Sequence, residues 1–318
     1  CPLVEPELLA RLVAGHRSSG AQVSVLTVRL ADPSGYGRIV RDADAGVTAI
    51  VEQRDADAAT AAIDEVNTGV WVLQCPQALD DLASVGRQNS QGEVYLTDLV
   101  QVARARGRKV EAFTCDDPEQ VLGFNDQREL AQVRDVLRRR ILERHLAAGV
   151  EIMDPATTFI DADASIEPGA HILPCTMIEG ACRIAAGCEV GPFAHLRDGT
   201  VLRAGAEVGN FTETKRTELG EGAKAKHLSY LGDCTVGAHA NIGAGTITAN
   251  YDGRAKHATV VGERAFVGSG TVLVAPVTVE GGATTGAGAV VTRKSVVRTG
   301  ETWIGVPARP LRRSDGKP

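Results

Sequence analysis

IDADASIEPGAHILPCTMIEGACRIAAGCEVGPFAHLRDGTVLRAGAEV, residues 160–208, carries an aliphatic residue at every sixth position. Ile160, Ile166, Ile172, Ile178, Ile184, Val190, Leu196, Leu202 and Val208 hold the step without a break. Four residues after each stands a small one: Ala164, Ala170, Thr176, Cys182, Cys188, Ala194, Thr200, Ala206 and Thr212. The pattern resumes at Val261, Val267, Leu273, Val279, Thr285 and Val291. An α-helix wants apolar residues about 3.6 apart and a half-buried strand wants them two apart. A step of six fits neither as one continuous element. It fits short strands separated by turns, each sending one side chain inward, stacked so that the coils bury a ladder no single repeat could bury.

Composition agrees. Aromatic residues make up 4% of the 318 positions while glycine supplies 35 of them, which suits tight turns around a thin aliphatic core. A net charge of −6 argues against a large nucleic-acid surface, and no apolar run is long enough to span a membrane. Seven cysteines without a CxxC pair read as free thiols of a cytoplasmic protein, and Cys182 and Cys188 as packing residues of the repeat.

Outside the repeat, residues 1–125 read as an α/β segment, with Val23–Val28 and Val70–Leu73 as strands and Tyr95–Arg106 as helix. A helix within the linker 126–150 presents Leu130, Val133, Leu137 and Ile141 on one face; its many arginines suit a solvated surface better than an RNA contact. The β-helix is expected over 151–297, followed by a basic tail, 298–318.

Polar residues gather where the six-residue register slips. Val208 to Leu219 is one residue short, Leu231 to Val236 is another slip, and between Ile242 and Val261 stands TANYDGRAKHA, a loop projecting from the prism. Loops on a rigid scaffold are favoured places for function. His227 is a candidate general base, with Tyr230 three residues on; Arg197, Lys215 and Lys256 are candidate phosphate ligands. Each has a plainer reading: a surface histidine, solvated cations, and a simple turn at Asn250–Gly253. The spacing of His195, His227, His239 and His257 does not form the ligand pattern of a zinc site.

GPFAHLRDGTVL, VGNFTETKRTELG, KAKHLSYLGD, NIGAGTITANYDG and LVAPVTV, with GYGRI, IVEQRD, EVNTGV, QGEVYLTDLV and VLGFNDQREL upstream, resemble one family. It is that of the bacterial bifunctional enzymes that acetylate glucosamine 1-phosphate and then uridylylate the product to UDP-N-acetylglucosamine. The resemblance covers nearly the whole chain. It implies an incomplete nucleotidyltransferase (Rossmann-like) α/β domain followed by a left-handed parallel β-helix of hexapeptide repeats. It implies His227 as catalytic base; Arg197 and Lys215 on the sugar phosphate; Tyr230, Asn241, Asn250 and Tyr251 in the sugar pocket; and Lys256 reaching a neighbouring subunit of a homotrimer. Ala244, Ser269 and Ala287 match an acetyl-CoA groove, Gly305 stands where the family often has an arginine, and Arg309 is a substitute for it. Arg312 or Arg313 would meet the CoA 3′-phosphate. Upstream, Gly37, Glu52, Asn67 and Asn125 match uridine-nucleotide positions, Asn125 also being one of two magnesium ligands.

The family's Gly-rich phosphate loop and the aspartate that is its other magnesium ligand are missing from this sequence. The chain is therefore expected to be a fragment of a longer protein, to lack uridylyl transfer as it stands, and to leave the upstream strands without central sheet partners. Its β-helix is about two coils shorter than the family leads one to expect. The alternatives are a complete protein that also makes the UDP-sugar, or a hexapeptide acyltransferase acting on another amino-sugar.

Overall fold

In the computed structural model, which describes residues 1–311, the chain divides between Leu137 and Arg138. In the first unit β1 (Val23–Arg29), β2 (Arg38–Arg41), β3 (Val47–Val51), β4 (Glu65–Leu73) and β5 (Val110–Cys115) form one sheet in the order β3-β2-β4-β1-β5. β1 runs antiparallel to β4 and parallel to β5. The expectation that these strands lack central partners is therefore corrected: β1 has a neighbour on each side and is buried except at Arg29.

Its alternate residues feed two cores, as a period of two requires. Val23 and Val25 pack with Leu99, Val100 and Ala103; Leu26 and Val28 pack with Leu8 and Leu12. β4 is longer than the apolar run Val70–Leu73 suggests. Glu65 is 2% exposed at its start, satisfied by Thr27 Oγ1 at 2.7 Å and the Arg41 guanidinium at 2.6 and 2.8 Å.

The expected linker helix runs Gln127–Ala147, and its buried stripe matches the one read from spacing at Val133 and Ile141 but not at Leu137. Leu137 is 45% exposed, while Val136 and Leu142 are buried. The stripe shifts because the helix contributes to two cores: Val133 and Val136 pack with Leu3, whereas Ile141 and Leu142 join the β-helix core.

The second unit is a parallel β-helix. Three parallel sheets line it, and each strand pairs with the strand one coil away: Phe159–Ile160 on Met177–Ile178, Ser165–Ile166 on Arg183–Ile184, His171–Ile172 on Glu189–Val190. We call the sheet holding Lys224–His227 the first face, that holding Tyr230–Gly232 the second, and that holding Cys234–Val236 the third. Every aliphatic residue of the sixfold series from Ile160 to Val208 is buried, and the small residues four positions on are buried at the corners. Cys182 and Cys188 are wholly buried; burial pushes the Cys182 thiol up to about 11, so it stays protonated at neutral pH.

The register slips have a common location. The inward residues run Val208, Thr214, Leu219, Ala225, Leu231, Val236, Ile242, Thr248, Val261, all buried. Both shortened steps, Thr214 to Leu219 and Leu231 to Val236, and the long insertion from Thr248 to Val261 turn the corner from the second face to the third, in successive coils. At the C-terminal end, Thr302–Ile304 adds one more strand to the first face beyond 297, where the tail was expected to begin, with Trp303 packed against the core.

Candidate active site

The corner between the first and second faces is built from one position repeated coil after coil. Asn210 pairs with His227. Above them the amide of Gly245 donates to the His227 carbonyl at 3.3 Å, that of Gly270 to Ala244 at 2.7 Å, and that of Gly288 to Ser269 at 2.8 Å. His227, Ala244, Ser269, Ala287 and Gly305 thus occupy one column, with strands roughly 4.8 Å apart. The side chains implied for the base and for the acetyl-CoA groove, scattered over 79 positions of sequence, stack on one edge. The coils approach so closely there that a Cβ on Gly243 would stand 2.5 Å from the amide nitrogen of Ser269. The His227 imidazole is exposed and has no hydrogen-bond partner among the described residues. Arg309 pairs with Ile304, beside Gly305 at the end of the column. Arg312 and Arg313 lie outside the described residues.

The second face is the floor that this corner borders. Its parallel register sets Arg197 beside Lys215 and Lys215 beside Gly232. Outward positions of neighbouring strands point the same way, so two cations share a surface patch. They differ in engagement. Arg197 Nη1 donates to Glu213 Oε1 at 2.8 Å, which raises the guanidinium further above its ordinary value, and Glu179 lies 3.9 Å from its Nε. The Lys215 ammonium has no partner among the described residues. Tyr230 opens the next strand, and its hydroxyl and the Asn250 amide both project over Gly232: a Cβ there would be 2.5 Å from the one and 2.6 Å from the other.

The opposite corner, where the register slips, closes the patch. Arg216 binds Asp233 through two bonds of 2.6 and 2.8 Å, and Asn250 Nδ2 donates to the same carboxylate at 2.5 Å. The Arg216 bond holds the Asp233 carboxyl below its ordinary range, and the charge of Lys256 adds to it. Tyr251 and Lys256 pair across the projecting loop and are exposed. Asn241 is not brought to this patch: it lies outward on the first face, paired with Lys224 and Phe266. Arg216, Asp233, Glu213 and Glu179 were missed in the sequence. The first two sit at the shortened corners, and a charge inside a shortened turn was the available signal.

In the first unit, Gly37, Glu52 and Asn67 come together. The Asn67 amide donates to the Gly37 carbonyl at 2.8 Å, and a Cβ on Gly37 would lie 3.4 Å from both Glu52 oxygens. Asn125 stands apart, its backbone amide donating to Glu129 at 2.5 Å, and no hydrogen bond joins it to those three. No group of three acidic, histidine or cysteine side chains converges as a metal site among the described residues. The residues present do not fit a magnesium ion.

Stacked six-residue coils on three parallel sheets define a hexapeptide-repeat β-helix protein. No family model matches the chain. A bifunctional protein GlmU from Kineococcus radiotolerans is 43% identical over 328 residues, taking in 93% of this chain and 66% of the relative. Another, from Trichlorobacter lovleyi, is 43% identical over 326 residues, 92% of this chain and 71% of the relative. The chain belongs to the bifunctional GlmU family, and it spans about two thirds of the length of these relatives. Among solved structures, the acetyltransferase domain of PglB from Neisseria gonorrhoeae is 25% identical, covering 66% of this chain and 91% of that one at a TM-score of 0.22.

Proposed function

We propose that the β-helix transfers the acetyl group of acetyl-CoA to the amine of glucosamine 1-phosphate. The observation that carries this is the column: His227 at its head and Ala244, Ser269, Ala287 and Gly305 behind it. A pantetheine arm laid along those small residues ends with its thioester at the imidazole. Lys215, with no ion-pair partner among the described residues, and Arg197 beside it supply the two cations that suit a phosphate dianion. The sugar then lies over the second face, between Tyr230 and Asn250 and the His227 corner.

His227 takes a proton from the sugar ammonium or from the attacking nitrogen, because only a neutral amine attacks a thioester. The N–C bond forms, the C–S bond breaks, and the thiolate of CoA takes up a proton as it leaves. The product, N-acetylglucosamine 1-phosphate, is the substrate for uridylyl transfer in a complete bifunctional protein, leading to the cell-wall precursor UDP-N-acetylglucosamine. Asn241 lies on a different face from Lys215, which supports sites completed between copies; we read the assembly as a homotrimer, with Lys256 serving a neighbour. All seven cysteines are unpaired, in keeping with a cytoplasmic enzyme, and no helix among the described residues is long and apolar enough to cross a membrane.

A thiol-release assay with acetyl-CoA tests the reaction. Glucosamine 1-phosphate should release CoA while glucosamine, lacking the phosphate, releases little; equal rates with both would remove Arg197 and Lys215 from the site. Sedimentation of an active monomer would overturn the trimer.

A further inference from the structure

The projecting loop is held by a residue far from it in sequence. Thr248, Leu273 and Val291 stack on the second face, so Asn250, Ala275 and Arg293, each two residues further on, share the next corner. The loop leaves at Asn250 and is met two coils away by Arg293. Arg293 Nη2 donates to Asp252 Oδ2 at 2.8 Å and lies 2.5 Å from His257 Nε2, which is itself 2.8 Å from the same carboxylate oxygen. The other oxygen of Asp252 accepts from the amides of Arg254 and Ala255 at 2.9 and 2.8 Å, and the His257 amide closes the loop onto the Asn250 carbonyl at 2.8 Å. Ala275, between the two anchor points, is 3% exposed.

We propose that Arg293 is a positioning residue: its clasp on Asp252 and His257 fixes the loop that presents Asn250, Tyr251 and Lys256 to the sugar. The assignment of that loop to the sugar pocket rests on the function proposed above; the clasp itself does not. Asp252 lies between Tyr251 and the Arg254–Ala255 turn, so a guanidinium bound to its carboxylate holds both limbs of the loop. Without it the loop keeps its internal bonds but loses its attachment to the later coil. Arg293 reaches the clasp through charge-assisted bonds, which are stronger than neutral ones and depend on geometry. Its guanidinium can serve the carboxylate and the imidazole together, which a lysine ammonium does less well.

The test compares the full chain with Arg293→Ala and Arg293→Lys. Arg254 and Lys256 are tryptic sites within the loop, so cleavage after them reports its release without any substrate. In Arg293→Ala, cleavage there should quicken by roughly tenfold or more, the loss expected for a hydrogen bond between charged groups. The KM for glucosamine 1-phosphate should rise by a similar factor while kcat and the KM for acetyl-CoA stay within about twofold. Arg293→Lys should fall between wild type and alanine in both readouts. Unchanged tryptic cleavage in Arg293→Ala would overturn the clasp. Faster cleavage with an unchanged sugar KM would overturn the positioning role. Failure of the wild type to release CoA with this sugar would refute the proposed reaction, and the tryptic arm would still decide the clasp.

Discussion

Two stretches of one corner, below and above His227, are built on the same backbone and carry opposite side chains. After the first face seven successive coils turn through a left-handed residue. Below, these are Cys175, Phe193, Phe211 and Leu228, with φ of 58°, 55°, 54° and 50°. Above, they are Gly245, Gly270 and Gly288, with φ of 75°, 70° and 69°. Three of the four lower residues are bulky: Phe193 and Phe211 stack with ring centroids 5.1 Å apart, and Leu228 is 63% exposed. If backbone conformation alone called for glycine, it would stand in the lower coils too. The upper glycines, and the small residues beside them, are explained by room. One half of the edge is dressed with side chains and the other stripped to backbone, and His227 stands at the boundary. The acetyl-CoA arm proposed above would lie along the stripped half.

The largest test of this boundary is His227→Ala. Loss of a positioned general base should lower kcat by about 10²- to 10⁴-fold, while the β-helix melts as before, because the imidazole is exposed and unbonded. Wild-type turnover in that variant would end the proposed mechanism. Next comes room above the boundary. Ser269→Phe places a ring in the middle of the column and should raise the KM for acetyl-CoA by roughly five- to hundredfold, the equivalent of 1–3 kcal/mol of steric conflict, with the sugar KM kept. An unchanged acetyl-CoA KM would move the arm elsewhere. On the bordering floor, Lys215→Ala should reduce kcat/KM for the sugar phosphate by roughly tenfold or more. Arg197→Ala should reduce it less, since its guanidinium is already shared with Glu213 and Glu179. Equal losses would show that phosphate binding frees Arg197 from those carboxylates.

The sequence made the coils legible because one inward residue per face repeats at a fixed step, and burial in a narrow prism enforces that step. The slips were legible for the same reason, as breaks in a strict rule. Their stacking on one corner was not, because faces cannot be counted through an insertion without the pairing of Thr248 with Leu273. His227, Arg197 and Lys215 were legible as candidates from the register breaks, the family resemblance implied their roles, and the fold sets them along one edge and its bordering floor. Asn241 went the other way, onto another face. The α/β unit was less legible. Glu65 starts a strand only because Arg41 and Thr27 satisfy it, a long-range circumstance that no local pattern carries. The helical stripe failed at Leu137 because its two ends answer to different cores.

The smallest expected effect tests the premise that backbone and room can be separated. Leu228→Gly removes a side chain from a left-handed position, where a non-glycine residue is disfavoured by roughly 1–2 kcal/mol. Glycine's greater freedom in the unfolded chain gives back about 0.5–1 kcal/mol. With most of the Leu228 side chain exposed, few contacts are lost, so the net should be a stabilisation of up to about 1 kcal/mol, or about 2–4 °C in the melting of the β-helix. Gly245→Ala makes the opposite exchange one coil above. A Cβ there meets nothing nearer than 3.7 Å, so its cost is backbone strain of about 1–2 kcal/mol, offset by about 0.5–1 kcal/mol from the lost freedom of the unfolded chain, and the net should be a destabilisation of up to about 1.5 kcal/mol. Opposite signs in the two variants would establish that the turn prefers glycine in both halves. A Leu228→Gly protein that melts lower, by contrast, would show that the side chain below the boundary is held by a contact of its own, and the contrast between the halves would then be one of packing rather than of room.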